Sequence, residues 1–303
     1  MSFKAQVITE SKGPDGQYLS TSVLQYPRFI HAEFMTHREF SRNASSSRAI
    51  PVAKVIDQVR NDPAMPIHWG KNQPGMQAHE ELPPLIIEEM KEAWIKAAWA
   101  AADIAEQMMD AGLHKQVANR VLEPFQWMHV VATTISHSNF DGLRLHPDAD
   151  PNIHHLAQVW LDARKQHMPN QLAYGEWHLP FIDQDDWATA QRYCQVGRIT
   201  RDMPGYHEVV DVLKKVSAAR CARVSYLNHE GKRPDLLEDL KLFDRLVRSE
   251  IIHASPTEHQ ATPDTFIQDA DNPKWDMWQL QPLHGNLPGW IQFRKTLPNE
   301  YIS

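Results

Sequence analysis

The sequence predicts a helix-rich α+β fold, and three observations carry that prediction. Several long stretches repeat apolar residues at three- and four-residue spacing, the mark of amphipathic helices. One early stretch, Thr21 to Met35, mixes β-branched and aromatic residues around Pro27 and reads as extended. Hydrophobic content of 42% and charged content of 23% are ordinary for a globular chain of 303 residues, long enough for a sizeable core.

Taken in order, the extended stretch opens the reading. A short helix follows over Val52 to Arg60, and the Pro- and Gly-rich segment Asn61 to Pro84 reads as loop. Leu85 to Ala111 is the strongest helix, with Leu85, Ile86, Met90, Trp94, Ala98, Ala101, Ile104, Ala105 and Met108 on one stripe and Gly112 as its stop. Further helices are expected over His114 to Leu122, Phe125 to Phe140 and Asn152 to His167, the last started by Pro151. Tyr174 to Asp186 reads as loop. Helical signals return at Trp187 to Cys194, Tyr206 to Tyr226 and Pro234 to Ser249. The chain from Ser255 onward reads as irregular, pinned by Trp275, Trp278 and Trp290.

Composition narrows the function classes. A net charge of −7 is not the footprint of a nucleic-acid polymer binder. No apolar run is long enough to span a membrane, and the polar N-terminus has no signal-peptide core, so a cytoplasmic protein is expected. The two cysteines, Cys194 and Cys221, make neither a disulfide framework nor a thiolate metal site. His146, His154 and His155 lack convergent metal-ligand spacing, so no metal is expected.

The stretch richest in chemistry is Thr36 to Arg48, which packs three arginines, one histidine and four serines into thirteen residues. Guanidinium groups grip phosphates bidentately and hydroxyls donate to the remaining oxygens, so the segment reads as a site for a phosphorylated small molecule. A second candidate is Ser138 to Arg144, where Asn139 and Arg144 offer an amide and a guanidinium to a planar ring.

Both segments resemble signatures of the flavin-dependent thymidylate synthases, the ThyX family. His37-Arg38, Asn43, Ser46 and Arg48 fall in the slots of the family's Arg-His-Arg-x7-Ser motif, with Thr36 in place of the first Arg and Ala44 in place of a common acidic residue. Asn139 and Arg144 match Asn-Phe-x-x-Leu-Arg. Arg120, in Ala118 to Pro124, resembles a family phosphate-binding Arg, one position out of register. Ala218 to Tyr226 and His253 to His259 resemble A-A-R-V-S-[YF] and H-x-[ST]-P-x-E-H. These last two follow the His-Arg segment instead of preceding it, so the order looks circularly permuted. The matched blocks lie at roughly 21–50, 85–160 and 207–260.

The resemblance implies a single catalytic domain over 1–303, with a nucleotide and flavin half at 1–205 and a permuted flavin-site half at 206–303, folded around a twisted antiparallel sheet and assembled as a homotetramer. It implies reductive methylation of dUMP to dTMP, with FAD as cofactor and NADPH and methylenetetrahydrofolate as co-substrates. His37, Arg38, Asn43, Asn139, Ser225, His253 and Ser255 would bind the flavin. Glu33, Ser46, Ser47, Arg48, Arg120 and Arg144 would bind the nucleotide, with Arg144 and Ser46 catalytic. Two alternatives stay open: a flavin-dependent C5 methylase or hydroxymethylase of another pyrimidine nucleotide, and a non-catalytic nucleotide-binding protein on the same fold.

Overall fold

A computed structural model describes residues 2–224, 235–247, 252–268 and 276–300. Helix and strand are mixed throughout, as an α+β fold requires. The central sheet has five strands: β1 (Lys4–Lys12), β2 (Tyr18–Pro27), β3 (Ser41–Ala44), β4 (Trp127–Thr134) and β5 (Asn170–Gln171), in the order β3-β4-β2-β1-β5. All neighbours pair antiparallel except the short edge strand β5, which runs parallel to β1, so the sheet is not wholly antiparallel as expected. The register sets Thr21 opposite Thr133 and Asn43 opposite Val131.

Because side chains alternate across a strand, the sheet has two distinct faces. Leu24 and Tyr26 of β2 and Met128, Val130 and Ala132 of β4 share a buried cluster with Ile153, Leu156, Ala157 and Trp160 of helix α6 (Pro151–Lys165). The indole of Trp160 donates to Ser22 Oγ at 2.9 Å, which satisfies its one polar atom inside the core. On the other face Asn43 Nδ2 donates to the backbone carbonyl of Cys221 in α8 (Tyr206–Val224) at 3.1 Å. Strand β3, and with it the basic segment, is thereby held between the two layers.

Two helical expectations were met closely: α2 spans Val52–Asn61 and α3 spans Pro84–Asp110, and Gly112 takes the left-handed φ of +80° just past the end of α3. Val52, Val55, Ile56 and Val59 of α2 bury against Ala98, Ala102 and Ala105 of α3. The apolar stripe of α3 is wider than this contact, for Leu85 stays 73% exposed and Ile104 45%.

Other expectations need correction. Phe125 to Phe140 is not a helix. It holds β4 and the short helix α5 (Ser138–Arg144). Both faces of β4 are covered, so its apolar run lacks the alternation that marks a half-exposed strand. Extended structure ends at Pro27, after which Arg28–Ile30 and α1 (His31–Phe34) form helical turns. The expected helix at His114 to Leu122 is only α4 (Lys115–Ala118), continuing as a 3-10 turn over Asn119–Phe125 that contains Pro124. The N-terminal strand β1 carried no signal, its residues being mostly polar. Ser225, Tyr226 and Trp275 lie outside the described residues.

A buried ion cluster fastens the C-terminal helices. Arg220 of α8 grips Asp186 of α7 (Gln184–Tyr193) through two bonds of 2.7 and 2.9 Å, and its Nε donates to Asp239 of α9 (Leu236–Val247) at 3.0 Å. Arg223 Nε donates to the other Asp239 oxygen at 3.0 Å, and the Asp239 side chain is fully buried. Removing one partner of such a cluster strands the others in low dielectric. Asp239→Ala is therefore expected to cost about 3 kcal/mol or more, read as a lower urea midpoint with near-native far-UV circular dichroism before the transition.

Candidate functional site

The Thr36 to Arg48 segment forms walls of two hollows that share Arg42, and Glu33, just ahead of the segment, borders a third. The largest, a cleft of about 770 Å³, is bordered by Arg42, Asn43, Ser46 and Arg48 from the N-terminal part of the chain and by His253, Ser255 and Pro256 from the C-terminal part. Lys115 and His114 complete its rim, and among the described residues no Asp or Glu lines it. A cleft whose described lining has two guanidiniums, an ammonium and the hydroxyls of Ser46 and Ser255, and no carboxylate, favours an anion. Among the described residues Ser46 Oγ accepts only the local Arg48 N–H, at 3.3 Å, which leaves its own proton for a ligand.

Arg42 links this cleft to the next structure inward. Its Nη1 donates to the carbonyls of Met35 and His37 at 3.1 and 3.0 Å, fixing the turn between α1 and β3. The His37 ring in turn receives Arg144 Nε at its Nε2, at 2.9 Å. Arg144 also reaches Glu33 Oε2 and Thr36 Oγ1, both at 3.3 Å. One guanidinium from α5 thus bridges three residues of the opposite segment. Helix α5 is held in place for this by Arg164, whose Nη2 sits 2.8 and 2.9 Å from the two oxygens of Asp141.

The electrostatics of the cluster follow from its burial. A ring nitrogen that accepts from a guanidinium carries no proton, and burial, reinforced by the charges of Arg144 and Arg42, lowers the pKa of His37 to about 4. His37 is therefore the neutral Nδ1–H tautomer. Glu33 is pushed up, chiefly by burial and then by Asp150, against the pull of Arg144. Glu33 and Arg144 together border a second cavity of about 500 Å³, whose far side is supplied by His68, Gln77, His79 and Asn152. A carboxylate beside a guanidinium offers an acceptor next to a donor, the pattern that reads the edge of an amide-bearing ring.

The remaining candidates are placed as follows. Arg38 borders a third hollow of about 440 Å³ with Arg294 and Lys295 from the C-terminal segment. Ser47 is buried and donates to Glu123 Oε1 at 3.0 Å, and Arg120 pairs with the same carboxylate at 2.9 Å. Neither borders the cleft. Asn139 is exposed in the first turn of α5 and borders none of the three hollows. Asn43 lines the cleft, but its amide donor is engaged by α8. Sequence reasoning overlooked Lys115, His114 and the role of Arg42 as a strut. Arg42 lay inside the basic motif and was legible there, whereas nothing near Lys115 marks it.

Neither cysteine is a nucleophile candidate. Cys221 is fully buried, and burial drives its thiol far above the ordinary range against a weak bond from Gln260 Nε2 at 3.5 Å. Iodoacetamide is expected to leave Cys221 unmodified in the folded protein and to alkylate it only after denaturation, as read by peptide mass spectrometry. Rapid native labelling would contradict the buried position.

No protein-family model matches the chain, and no curated protein matches it. Solved structures similar to it include the UMP/dUMP methylase PolB from Streptomyces cacaoi. Its complex with 5-Br dUMP is 15% identical over 55% of this chain and 90% of that one, with a TM-score of 0.46. Its complex with 5-Br UMP is 16% identical over 55% and 89%, with a TM-score of 0.42. ThyX from Helicobacter pylori with FAD and dUMP is 14% identical over 48% and 67%, with a TM-score of 0.34. Among the described residues, no helix is long and apolar enough to cross a membrane.

Proposed function

We propose that the protein is a flavin-dependent methylase of a uracil nucleotide, and that its reaction is the reductive methylation of dUMP to dTMP with methylenetetrahydrofolate and NADPH. The observation that carries the reading is the shared cleft. Two segments from opposite ends of the chain, each resembling a ThyX signature, border one hollow that no carboxylate of the described residues lines. Their adjacency in space, with their order reversed in sequence, is what a permuted chain would give. Both halves, 1–205 and 206–303, then contribute walls to one catalytic unit, which assembles as a homotetramer.

The donor set fits a phosphate-bearing cofactor and nucleotide. His37, Arg38, Asn43, His253 and Ser255 would hold FAD, and Ser46 and Arg48 the phosphate of the nucleotide. Bound flavin would supply the redox chemistry. The chain's own residues bind, orient and polarise. Arg144, already aimed by His37, Thr36 and Glu33, would donate to the pyrimidine carbonyl and stabilise charge developing on the ring. Glu33, at 3.3 Å from that guanidinium, would accept from the ring N–H.

The deciding experiment is an anaerobic assay of FAD-loaded protein with NADPH, methylenetetrahydrofolate and either dUMP or UMP, with mass spectrometry of the nucleotide. A gain of one methyl group on dUMP is expected. A methyl gain confined to UMP would reassign the substrate, and failure of the protein to bind flavin, judged by its visible absorbance, would sink the reading.

A further inference from the structure

On the sheet face that carries Asn43, five polar side chains form an unbroken line. Ser11 Oγ meets His178 Nδ1 at 2.8 Å, and His178 Nε2 meets Thr21 Oγ1 at 2.8 Å. Thr21 Oγ1 meets Thr133 Oγ1 at 2.6 Å, and Thr133 Oγ1 meets His259 Nδ1 at 2.8 Å. The register explains the line. Thr21 and Thr133 are direct cross-strand partners, and Ser11 lies two residues from Thr9, which pairs with Thr21. All five residues are buried. Backbone bonds brace the same place, for His178 and Ala261 form an isolated bridge.

We infer that these five groups form one proton-ordered relay, and that His259 is a positioning residue through which the sheet fixes the cleft segment 253–258. The relay follows from counting hydrogens. Each hydroxyl has one proton to give, so the line orders in only two ways. In one, Ser11 donates to His178 Nδ1, His178 Nε2–H to Thr21, Thr21 to Thr133 and Thr133 to His259 Nδ1. In the other every donation is reversed. Both rings are Nε2–H in the first ordering and Nδ1–H in the second. The two mixed states fail: one sets oxygen lone pairs against each other across 2.6 Å, and the other leaves a threonine proton with no acceptor in the line. Both imidazoles are neutral, burial lowering each pKa to about 3, so neither escapes the count by taking a second proton.

The positioning role follows from what His259 is attached to. It ends the 3-10 turn Ser255–Glu258, whose Ser255 and Pro256 border the cleft together with His253, and whose Glu258 pairs with Arg294. Anchoring the ring on Thr133 ties that turn to the central strand β4. The other ring nitrogen, Nε2, has no hydrogen-bond partner among the described residues, so Thr133 is the ring's polar anchor.

The test does not depend on the identity of any ligand. In protein labelled with 15N-histidine, long-range proton–nitrogen correlations report the tautomer of each ring. His178 and His259 are expected to share one tautomer, and opposite tautomers in the wild-type protein would overturn the relay whatever the variants do. In Thr133→Val, the Thr257 amide is expected to exchange at least about tenfold faster and the His259 ring to lose its single tautomer. Thr133→Ser, which keeps the hydroxyl, restores both. A folded Thr133→Val protein with unchanged exchange and tautomer would refute the positioning role. Should that variant not fold, Thr133→Ser carries the comparison, and opposite tautomers of His178 and His259 in that hydroxyl-bearing protein would refute the relay.

Discussion

Arg144→Ala is expected to lower turnover by at least about 100-fold while leaving the protein folded. A preorganised donor aimed at developing charge is worth roughly that much when removed. The side chain is held by three polar contacts of about 3 Å to His37, Glu33 and Thr36, and packs in no apolar cluster, so its loss opens no core cavity. Arg144→Lys should recover little, because a lysine presents a point charge and lacks the fork that meets all three partners at once. Turnover of dUMP by the alanine variant at the wild-type rate, with intact thermal unfolding, would remove Arg144 from the chemistry. Unfolding of the variant at room temperature would instead make the residue structural.

The same cluster explains the departure at Thr36. Where the ThyX motif has an arginine, this chain has a hydroxyl that donates to the Glu33 carbonyl at 2.7 Å and accepts from Arg144 at 3.3 Å. An arginine here would bring a second guanidinium against the first. The short side chain lets Arg144 close on the turn, and Glu33 supplies the counter-charge. The substitution is thus compensated locally, and it changes how the guanidinium is held without taking it out of the cavity.

What the sequence made legible follows from which interactions are local. Helices α2, α3 and α6 have the three-to-four periodicity and a clear stop or start, Gly112 for one and Pro151 for another, and their bounds came within two residues. Strand β4 did not, because Val130, Val131 and Ala132 are all buried and alternation vanishes. β1 failed for the opposite reason: Lys4, Gln6 and Glu10 hide a strand whose identity is set by pairing with β2. At the candidate site, the residue types inside the basic motif were readable, but not their directions. Ser46 and Ser47 are neighbours, yet one borders the cleft and the other is turned to Glu123. Lys115, His178 and Thr133 reach their partners across the tertiary fold, and no spacing rule near them could have marked them.

Acid should unfold this protein early. Burial holds five histidines well below their ordinary pKa of 6.5: His31 and His37 to about 4, and His137, His178 and His259 to about 3. In the unfolded chain these rings take up protons as the pH falls through 6.5, whereas the folded protein refuses them until near 4 or below. The unfolded state therefore binds more protons in this window, and stability falls as the pH is lowered. Each of the three most buried rings costs roughly 2 kcal/mol by pH 5, and the partly screened His31 and His37 cost less. Against a typical total of about 5–15 kcal/mol, that sum is decisive. Urea midpoints are expected to drop steadily between pH 6.5 and 4.5, above the range where ordinary carboxylates titrate. His137 gives the control. It packs edge-on against Trp160 with ring centroids 4.7 Å apart, and among the described residues neither of its nitrogens has a hydrogen-bond partner. His137→Leu removes the titrating ring and breaks no hydrogen bond among the described residues, so its stability at pH 8 should hold and its slope with pH should be shallower. A midpoint independent of pH across the window would mean that the buried rings are accessible to protons in the folded state.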